Sequence, residues 1–151
     1  MKYKEAITKS MEMLARDNKT IFLGYNINFG SKAYGTLANI PENKKIETPL
    51  AENLMMSLAI GMSLECYRPI VFFERHDFIL NALDSIVNHL DKSESLFKKN
   101  LPIIIRANVG AKKPLYPGCQ HVQDFSDSLR KMSSINIFDP KNSQEIIETY
   151  K

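Results

Sequence analysis

The sequence predicts an α/β fold, a three-layer domain in which a mainly parallel sheet is flanked by helices. Helix-like and strand-like segments alternate along the chain, which is the pattern of a parallel sheet covered by helices. The strand-like segments are short apolar runs, as expected of buried strands. A length of 151 residues with 44% hydrophobic and 25% charged residues is typical of one soluble domain with its own core.

An apolar stripe predicts the first helix, and an apolar run predicts the first strand. Ile7, Met11 and Leu14 recur at spacings of four and three residues, which places a helix over residues 3–16. The next apolar run indicates a buried strand over residues 20–23.

A long polar loop over residues 25–45 separates this strand from a second helix, predicted over residues 51–64. Loops of this length inside compact domains tend to be functional or mobile. Pro49 suits a position just before or inside the first helical turn. A second buried strand over residues 69–73 and a third helix over residues 77–90 continue the alternation.

The C-terminal third repeats the same alternation. A third strand is predicted over residues 101–107, and a second long loop follows it. A short helix over residues 124–132 then leads to a fourth strand over residues 135–138. Asn142 or Ser143 can cap a last helix that continues to the end of the sequence.

Polar and aromatic side chains gather where the predicted strands end. In parallel sheets, ligands usually bind beyond the carboxyl ends of the strands. Both long loops and the turn after the second strand lie at those ends, and the sequence leaves open which of their side chains meet. The candidates for one common rim are Glu52, Glu74, Arg75, His76, Phe78 and His121.

Charge and composition argue against several function classes. The net charge is +3, and the lysine pairs are scattered rather than clustered with aromatic residues, so we expect no nucleic-acid partner. No apolar stretch is long enough to span a bilayer, and the N-terminus lacks a secretion signal. Cys66 and Cys119 form no metal-ligand spacing. We therefore expect a cytoplasmic protein that neither enters a membrane nor holds a metal itself.

Short motifs along the chain carry a family resemblance when they are taken together. The strongest is an ungapped run over residues 48–92, which contains a Thr-Pro-aliphatic-small-Glu motif and places Phe78 26 residues after Glu52. Matching positions outside this run include Glu5, Ala6, Ile7, Leu23, Gly24, Gln120, His121, Pro140, Asn142 and Ser143. Together they resemble the transketolase-like pyrimidine-binding domain of thiamine-diphosphate enzymes, as in the beta subunits of 2-oxoacid dehydrogenases.

The resemblance implies that Glu52 is catalytic and activates the cofactor thiamine diphosphate. A carboxyl group bonded to the far nitrogen of the aminopyrimidine ring favours the imino form of that ring. A dry pocket favours the protonated carboxyl group, which lets it share a proton with the ring. Without the resemblance, Glu52 would be interpreted as a solvated carboxylate in a first helical turn, stabilised by the helix dipole.

Four further roles follow from the resemblance. Phe78 would stack on the aminopyrimidine, and Leu50 would form an aliphatic wall of the same pocket. His121 would lie near the substrate and orient a carboxylate or transfer a proton. His76 stands where the family has an apolar or aromatic residue, and we interpret it as tuning the substrate. From local sequence alone, Phe78 and Leu50 would be core residues and His121 a solvated loop residue.

Three departures from the family pattern bear on substrate and cofactor. The two acidic residues that usually follow the first strand are replaced by Tyr25 and Asn26, and the loop over residues 111–118 is richer in charge and proline. A substrate other than pyruvate is therefore open. The sequence also has no Gly-Asp pair, so the motif that holds the diphosphate and its divalent metal has to come from elsewhere.

These departures predict a composite active site and a defined partner. Residues 1–151 would form only the pyrimidine-binding domain, with neither a diphosphate-binding domain nor a C-terminal transketolase domain. An alpha-like partner chain with Gly-Asp-Gly and a later Asn would hold the diphosphate and Mg²⁺ or a similar metal. The cofactor would be shared between the two chains, which would assemble with a second copy as a homodimer or heterotetramer.

Two functions of different classes fit this reading. The first is one half of an enzyme that acts on carbon–carbon bonds next to a carbonyl, by 2-oxoacid decarboxylation or by ketol transfer, and that is inactive alone. The alternative is a degenerate, non-catalytic module that scaffolds or regulates a thiamine-diphosphate enzyme. The retained Glu52 and Phe78 favour the first function, and the changed Tyr25 and Asn26 favour the second.

Overall fold

The computed structural model describes residues 1–110, 112–113 and 116–151. It contains four strands, β1 (Thr20–Gly24), β2 (Lys45–Glu47), β3 (Arg68–Phe73) and β4 (Ile104–Ala107). The α-helices are α1 (Tyr3–Leu14), α2 (Glu52–Leu64), α3 (Ser93–Phe97), α4 (Ser126–Met132) and α5 (Ser143–Tyr150). The charge- and proline-rich loop predicted to affect the substrate includes Ala111, Pro114 and Leu115, which lie outside the described residues.

The four strands form one parallel sheet in the order β2-β1-β3-β4. Gly24, the last residue of β1, is in register with Glu47 of β2 and Phe72 of β3, and Phe73 is in register with Ala107 of β4. The carboxyl ends of all four strands therefore lie along one edge. The predicted α/β fold with a parallel sheet between helices is confirmed.

Alternating side chains of β3 pack on opposite faces of the sheet, which produces the three layers. Val71 and Phe73 belong to a buried cluster with Met55 and Met56 of α2. On the other face, Ile70 and Phe72 belong to the cluster shared with α1 and α5. The helix stripe predicted in α1 is confirmed, since Ile7 and Met11 are buried there.

The predicted third helix is helical but irregular. A 3₁₀ segment covers His76–Ala82, and a π-helical segment covers Ser85–Leu90. Both of these rarer geometries re-aim side chains relative to a regular α-helix, and π-helical turns are frequent at functional sites. This segment follows the carboxyl end of β3 directly, so its side chains lie at the ligand-binding edge of the sheet.

The predicted strand over residues 135–138 is wrong. Ile135 and Ile137 pack against the core on alternate positions, as a strand would, but the segment joins no ladder. Its neighbour Ser134 instead donates hydrogen bonds from its main-chain nitrogen and hydroxyl group to Asp91 at 2.7 and 2.6 Å. The alternating apolar pattern of this segment therefore reflects burial against the core and not pairing with another strand.

The short strand β2 was missed, and β4 is shorter than predicted. β2 has three residues, two of them charged, so it lacks the apolar run that marks a buried strand. The predicted helix ends agree with α1, α2, α4 and α5 to within two residues, and the Asn142 side chain caps α5 as expected. Among the described residues, no helix is long and apolar enough to cross a membrane.

Candidate functional site

A network of hydrogen bonds joins the segments that follow three of the strands. The Glu47 carboxylate, at the end of β2, accepts main-chain N–H groups from the turn over residues 26–29, at 2.6 to 3.4 Å. The Asn26 side chain donates to Glu74 at 2.8 Å, and the Asn108 side chain donates to the Glu74 carbonyl at 3.2 Å. The carboxyl ends of β1, β2, β3 and β4 thus share one connected rim.

Glu52 is the first residue of α2 and is buried, with 8% of its surface exposed. Its position at a helix N-terminus stabilises a carboxylate, but its burial removes most contact with water. The Asn81 side chain donates a hydrogen bond to Glu52 Oε2 at 3.3 Å, and no other described residue donates to this carboxylate. The interpretation of Glu52 as a solvated carboxylate is therefore wrong.

Phe78 and His121 meet at this rim. Their ring centroids are 5.5 Å apart and their planes are at 86°, an edge-to-face contact between two half-buried rings. Phe78 belongs to the 3₁₀ segment after β3, and His121 ends a short 3₁₀ turn, Cys119–His121. The fold thus brings together two residues that are 43 positions apart in the sequence.

His76 is buried beside the same loop, and its ring is already bonded within the chain. Its Nδ1 accepts a hydrogen bond from the main-chain N–H of Phe125 at 3.0 Å. Burial lowers the pKa of His76 below its usual value, against the opposing influence of Asp124 and Asp77. A neutral ring with an unprotonated Nδ1 fits both observations. The role of His76 toward a substrate stays a prediction.

Leu50 lies outside the packed core. It is 61% exposed, and Leu54 and Leu58 are also exposed on α2. Leu54 and Leu58 are four residues apart and lie on one face of α2, and Leu50 lies two residues before the helix begins. We call Leu50, Leu54 and Leu58 the outer face of α2. Met55 and Met56, on the opposite side, are buried in the core.

A small cleft at the rim combines Glu74 and Tyr25 with residues that no sequence pattern had singled out, among them Arg106. It is lined by Tyr25, Ala33, Tyr34, Phe72, Phe73, Glu74, Arg106 and Asn108. The Arg106 guanidinium lies over the Phe72 ring at 4.9 Å and donates to the Thr36 hydroxyl at 2.7 Å. Burial lowers the pKa of Arg106. An arginine inside an otherwise apolar predicted strand was the signal available in the sequence.

Two other contacts at the site could not be found from sequence spacing. Asn81 contacts Glu52, and buried Asp77 accepts hydrogen bonds from Gln123 at 3.4 and 3.2 Å. Within the described part of the chain, no group of three or more His, Cys, Asp or Glu residues is arranged to hold a metal ion.

Comparison with curated proteins gives a consistent set of relatives. The chain is 28% identical over 152 residues to the pyruvate dehydrogenase E1 component subunit beta of Saccharomyces cerevisiae, covering 96% of this chain and 41% of that protein. It is 28% identical over 149 residues to the Rattus norvegicus subunit, covering 94% of this chain and 41% of that protein. The Rickettsia bellii subunit is 27% identical over 149 residues, with coverage of 94% and 45%.

The chain is similar over almost its whole length to pyruvate dehydrogenase E1 beta subunits. These relatives confirm the family resemblance that Glu52, Phe78 and the surrounding run indicated. No family model matches the chain. The chain spans about two-fifths of the length of these relatives.

Proposed function

We propose that this chain is the pyrimidine-binding part of a split thiamine-diphosphate enzyme. The observation that carries the proposal is Glu52, a buried carboxyl group at the first turn of α2 beside the carboxyl edge of the sheet. A buried glutamate with a single amide donor retains hydrogen-bonding capacity for a ligand. Carboxyl groups placed in this way are suited to share a proton with a ring nitrogen.

Each proposed site residue has a task toward the cofactor or substrate. Thiamine diphosphate supplies a carbanion equivalent for making or breaking a carbon–carbon bond next to a carbonyl. Glu52 would bind the far nitrogen of the aminopyrimidine, while the half-buried Phe78 ring would stack on it. His121, held against Phe78, would orient a substrate carboxylate or transfer a proton. Leu50 would close the pocket.

The exposure of Leu50 supports a site completed by a second chain. The outer face of α2 starts at the residue two positions before Glu52, so a partner on this face would lie beside the carboxyl group. We propose that the occupant is an alpha-like chain with the Gly-Asp-Gly and Asn motif. That chain would hold the diphosphate and Mg²⁺, and pairs of the two chains would assemble into a larger oligomer.

The relatives favour 2-oxoacid oxidation over ketol transfer, because the compared proteins are named pyruvate dehydrogenase subunits. The residues of the turn after β1 do not specify which 2-oxoacid is the substrate. Asn26 there bonds Glu74 rather than presenting an acid of its own. The expected cytoplasmic location stays a prediction, since the yeast and rat relatives are named mitochondrial.

A second candidate is the non-catalytic module that scaffolds or regulates such an enzyme. The observation in its favour is the turn after β1, where Tyr25 and Asn26 replace the expected acids. A scaffold has no need of a buried Glu52, because an apolar residue would fill the same space without the cost of burying a carboxyl group.

The deciding experiment compares Glu52→Gln with a matched variant at the residue that directly follows the same helix. The neighbouring reading frames would be searched for a Gly-Asp-Gly chain, that chain co-expressed with this one, and the purified complex assayed for thiamine-diphosphate binding and for 2-oxoacid decarboxylation. We expect Glu52→Gln to lose turnover by at least 100-fold, as general acid–base contributions imply, while exposed Glu65→Gln leaves it unchanged. Full activity in Glu52→Gln would contradict the assigned role.

A binding experiment separates the composite site from a self-sufficient one. Leu54→Glu would place a charge on the outer face of α2 and should abolish co-purification with the partner chain. Leu96→Glu, at another exposed leucine, serves as the control. Tight binding of thiamine diphosphate and Mg²⁺ by the 151-residue chain alone would rule out the composite site.

A further inference from the structure

Two neighbouring buried side chains bind one loop by its backbone. His76 Nδ1 accepts the Phe125 N–H at 3.0 Å. Asp77 Oδ1 accepts both the main-chain N–H of Gln123 at 3.4 Å and its side-chain amide at 3.2 Å. The side chains of residues 76 and 77 thus bind two loop residues that are two positions apart. Together they fix the distance of the loop from β3 and the direction in which the loop runs.

The residue after this pair meets the start of the same loop. Phe78 contacts the His121 ring edge-on at 5.5 Å. The His121 backbone also lies close to Gly110, where an added Cβ would be 2.0 Å from the His121 carbonyl oxygen. No side chain fits between these backbones without moving one of them. The His121 ring therefore depends on how the whole loop is seated.

Burying the Asp77 carboxylate costs free energy, which a merely structural role would not explain. Asp77 is 8% exposed, and its Oδ2 has no hydrogen-bond partner among the described residues. A buried polar atom left without a partner costs about 1–3 kcal/mol. An apolar residue would avoid that cost, so the contribution of Asp77 lies in the two hydrogen bonds that it accepts from Gln123.

We propose that Asp77 is a positioning residue for His121, acting through Gln123. By holding the loop at Gln123, Asp77 keeps the His121 ring in its edge-to-face contact with Phe78. Asp77 itself does not touch the substrate or the cofactor. Its importance for catalysis rests on the proposed function, whereas its effect on the His121 ring does not.

The first test follows the His121 ring in the 151-residue chain by proton NMR, without cofactor. The His121 ring signal is assigned with His121→Gln, and the ring current of the nearby Phe78 should give it a distinct chemical shift. We expect Asp77→Ala to move this signal toward the position of an exposed histidine. Asp77→Asn keeps an oxygen that can accept from Gln123, so it should restore the wild-type shift. Asp127→Asn, whose side chain is 94% exposed, should change nothing.

Gln123→Ala provides a second variant, because it removes the exposed side-chain donor and leaves the buried carboxylate in place. It should move the His121 signal in the same direction and by less than Asp77→Ala does. An unmoved His121 signal in folded Asp77→Ala would overturn the proposal. If Asp77→Ala does not fold, an unmoved signal in Gln123→Ala overturns it instead.

The second test uses the assembled complex. We expect Asp77→Ala to lower kcat/KM by about 10- to 100-fold, the scale of a displacement near 1 Å at a reacting group, with the affinity for thiamine diphosphate unchanged. A complex that shows no thiamine chemistry would refute the proposed function while the NMR result still decides the role of Asp77. Conversely, if the activity depends on Glu52 but the His121 signal does not move in Asp77→Ala, only this inference is refuted.

Discussion

The His121 ring stands edge-on to the Phe78 ring, with centroids 5.5 Å apart and planes at 86°. This geometry directs the hydrogen-bearing edge of one ring at the electron-rich face of the other, which is a favoured arrangement of aromatic pairs. It also leaves part of both rings exposed at the rim. The pair therefore has surface available for a ligand that neither ring would offer if it were buried in the core.

Phe78→Leu should weaken cofactor binding in the assembled complex. Leucine keeps apolar volume but loses ring stacking worth about 0.5–1.5 kcal/mol, so the dissociation constant of thiamine diphosphate should rise about two- to tenfold. Isothermal titration with Mg²⁺ present measures this change. Phe138→Leu, at a ring that is exposed elsewhere on the chain, should have no effect. Equal affinities for Phe78→Leu and wild type would argue that Phe78 is only a packing residue.

Glu47→Ala should destabilise the turn over residues 26–29 and the fold with it. The Glu47 carboxylate accepts main-chain N–H groups from this turn, and hydrogen bonds to a charged group contribute about 1.5–3 kcal/mol each. Three of the four N–H groups share one oxygen of a half-buried carboxylate, and water replaces part of the lost bonding, so the contributions do not add in full. We expect a net loss of about 2–4 kcal/mol in the free energy of unfolding, measured by urea denaturation. Glu42→Ala, at an exposed position nearby, should change stability by less than about 0.5 kcal/mol.

The free energy of unfolding should decrease as the pH is lowered below about 6.5, because of His76. Burial lowers the pKa of His76 in the folded chain, whereas the unfolded chain has the ordinary histidine pKa near 6.5. Between these two pKa values the unfolded chain binds more protons, so the free energy of unfolding decreases as the pH falls. Above pH 6.5 this contribution is fully present.

His76→Asn should flatten that part of the pH profile, because the asparagine oxygen can still accept the Phe125 N–H but does not titrate. Urea denaturation at intervals from pH 5 to pH 8 would show the difference in slope. His89→Asn, at a side chain that is 49% exposed, is the control. Parallel profiles for wild type and His76→Asn would mean that His76 titrates as it does in water.

Two glycine substitutions should have opposite effects. Gly110→Ala forces a Cβ to within 2.0 Å of the His121 carbonyl oxygen and 2.4 Å of Val122 Cα, both main-chain atoms. We expect a loss of about 2 kcal/mol or more, together with a displaced His121. At Gly61 in α2 an added Cβ meets nothing within 4 Å, so Gly61→Ala should stabilise the isolated chain by about 0.5–1 kcal/mol. Thermal denaturation of both variants tests the contrast.

The parts of the fold that were predictable are those set by continuous apolar runs. β1 and β3 are such runs, and their parallel pairing follows from the helices between them. β2 was unpredictable because three residues with two charges carry no periodicity. The segment over residues 135–138 has the burial pattern of a strand but no ladder partner, and a one-dimensional pattern does not distinguish these cases.

Only the site residues that the family resemblance identified by their spacing could be predicted from the sequence. Glu52 and Phe78 were identified because 26 residues separate them, but local sequence could not predict that Glu52 is buried. Asn81 and Asp77 act through contacts with residues 29 and 46 positions away. Nothing in a periodic pattern marks such contacts, because they depend on how irregular helical turns aim individual side chains.

Glu47 binds its turn through main-chain amides, and this has a consequence for how the protein can vary. Amides are the same whatever residue carries them, so Asn28 and the exposed Phe29 can exchange side chains without losing their anchor, whereas Ile27 is buried in the core and the Asn26 side chain binds Glu74. An insertion or deletion there would instead misalign the amides and release the turn. Engineered variants should therefore tolerate new side chains at residues 28 and 29 but no change in the length of the turn, which makes these two positions a natural place to introduce new chemistry at this rim.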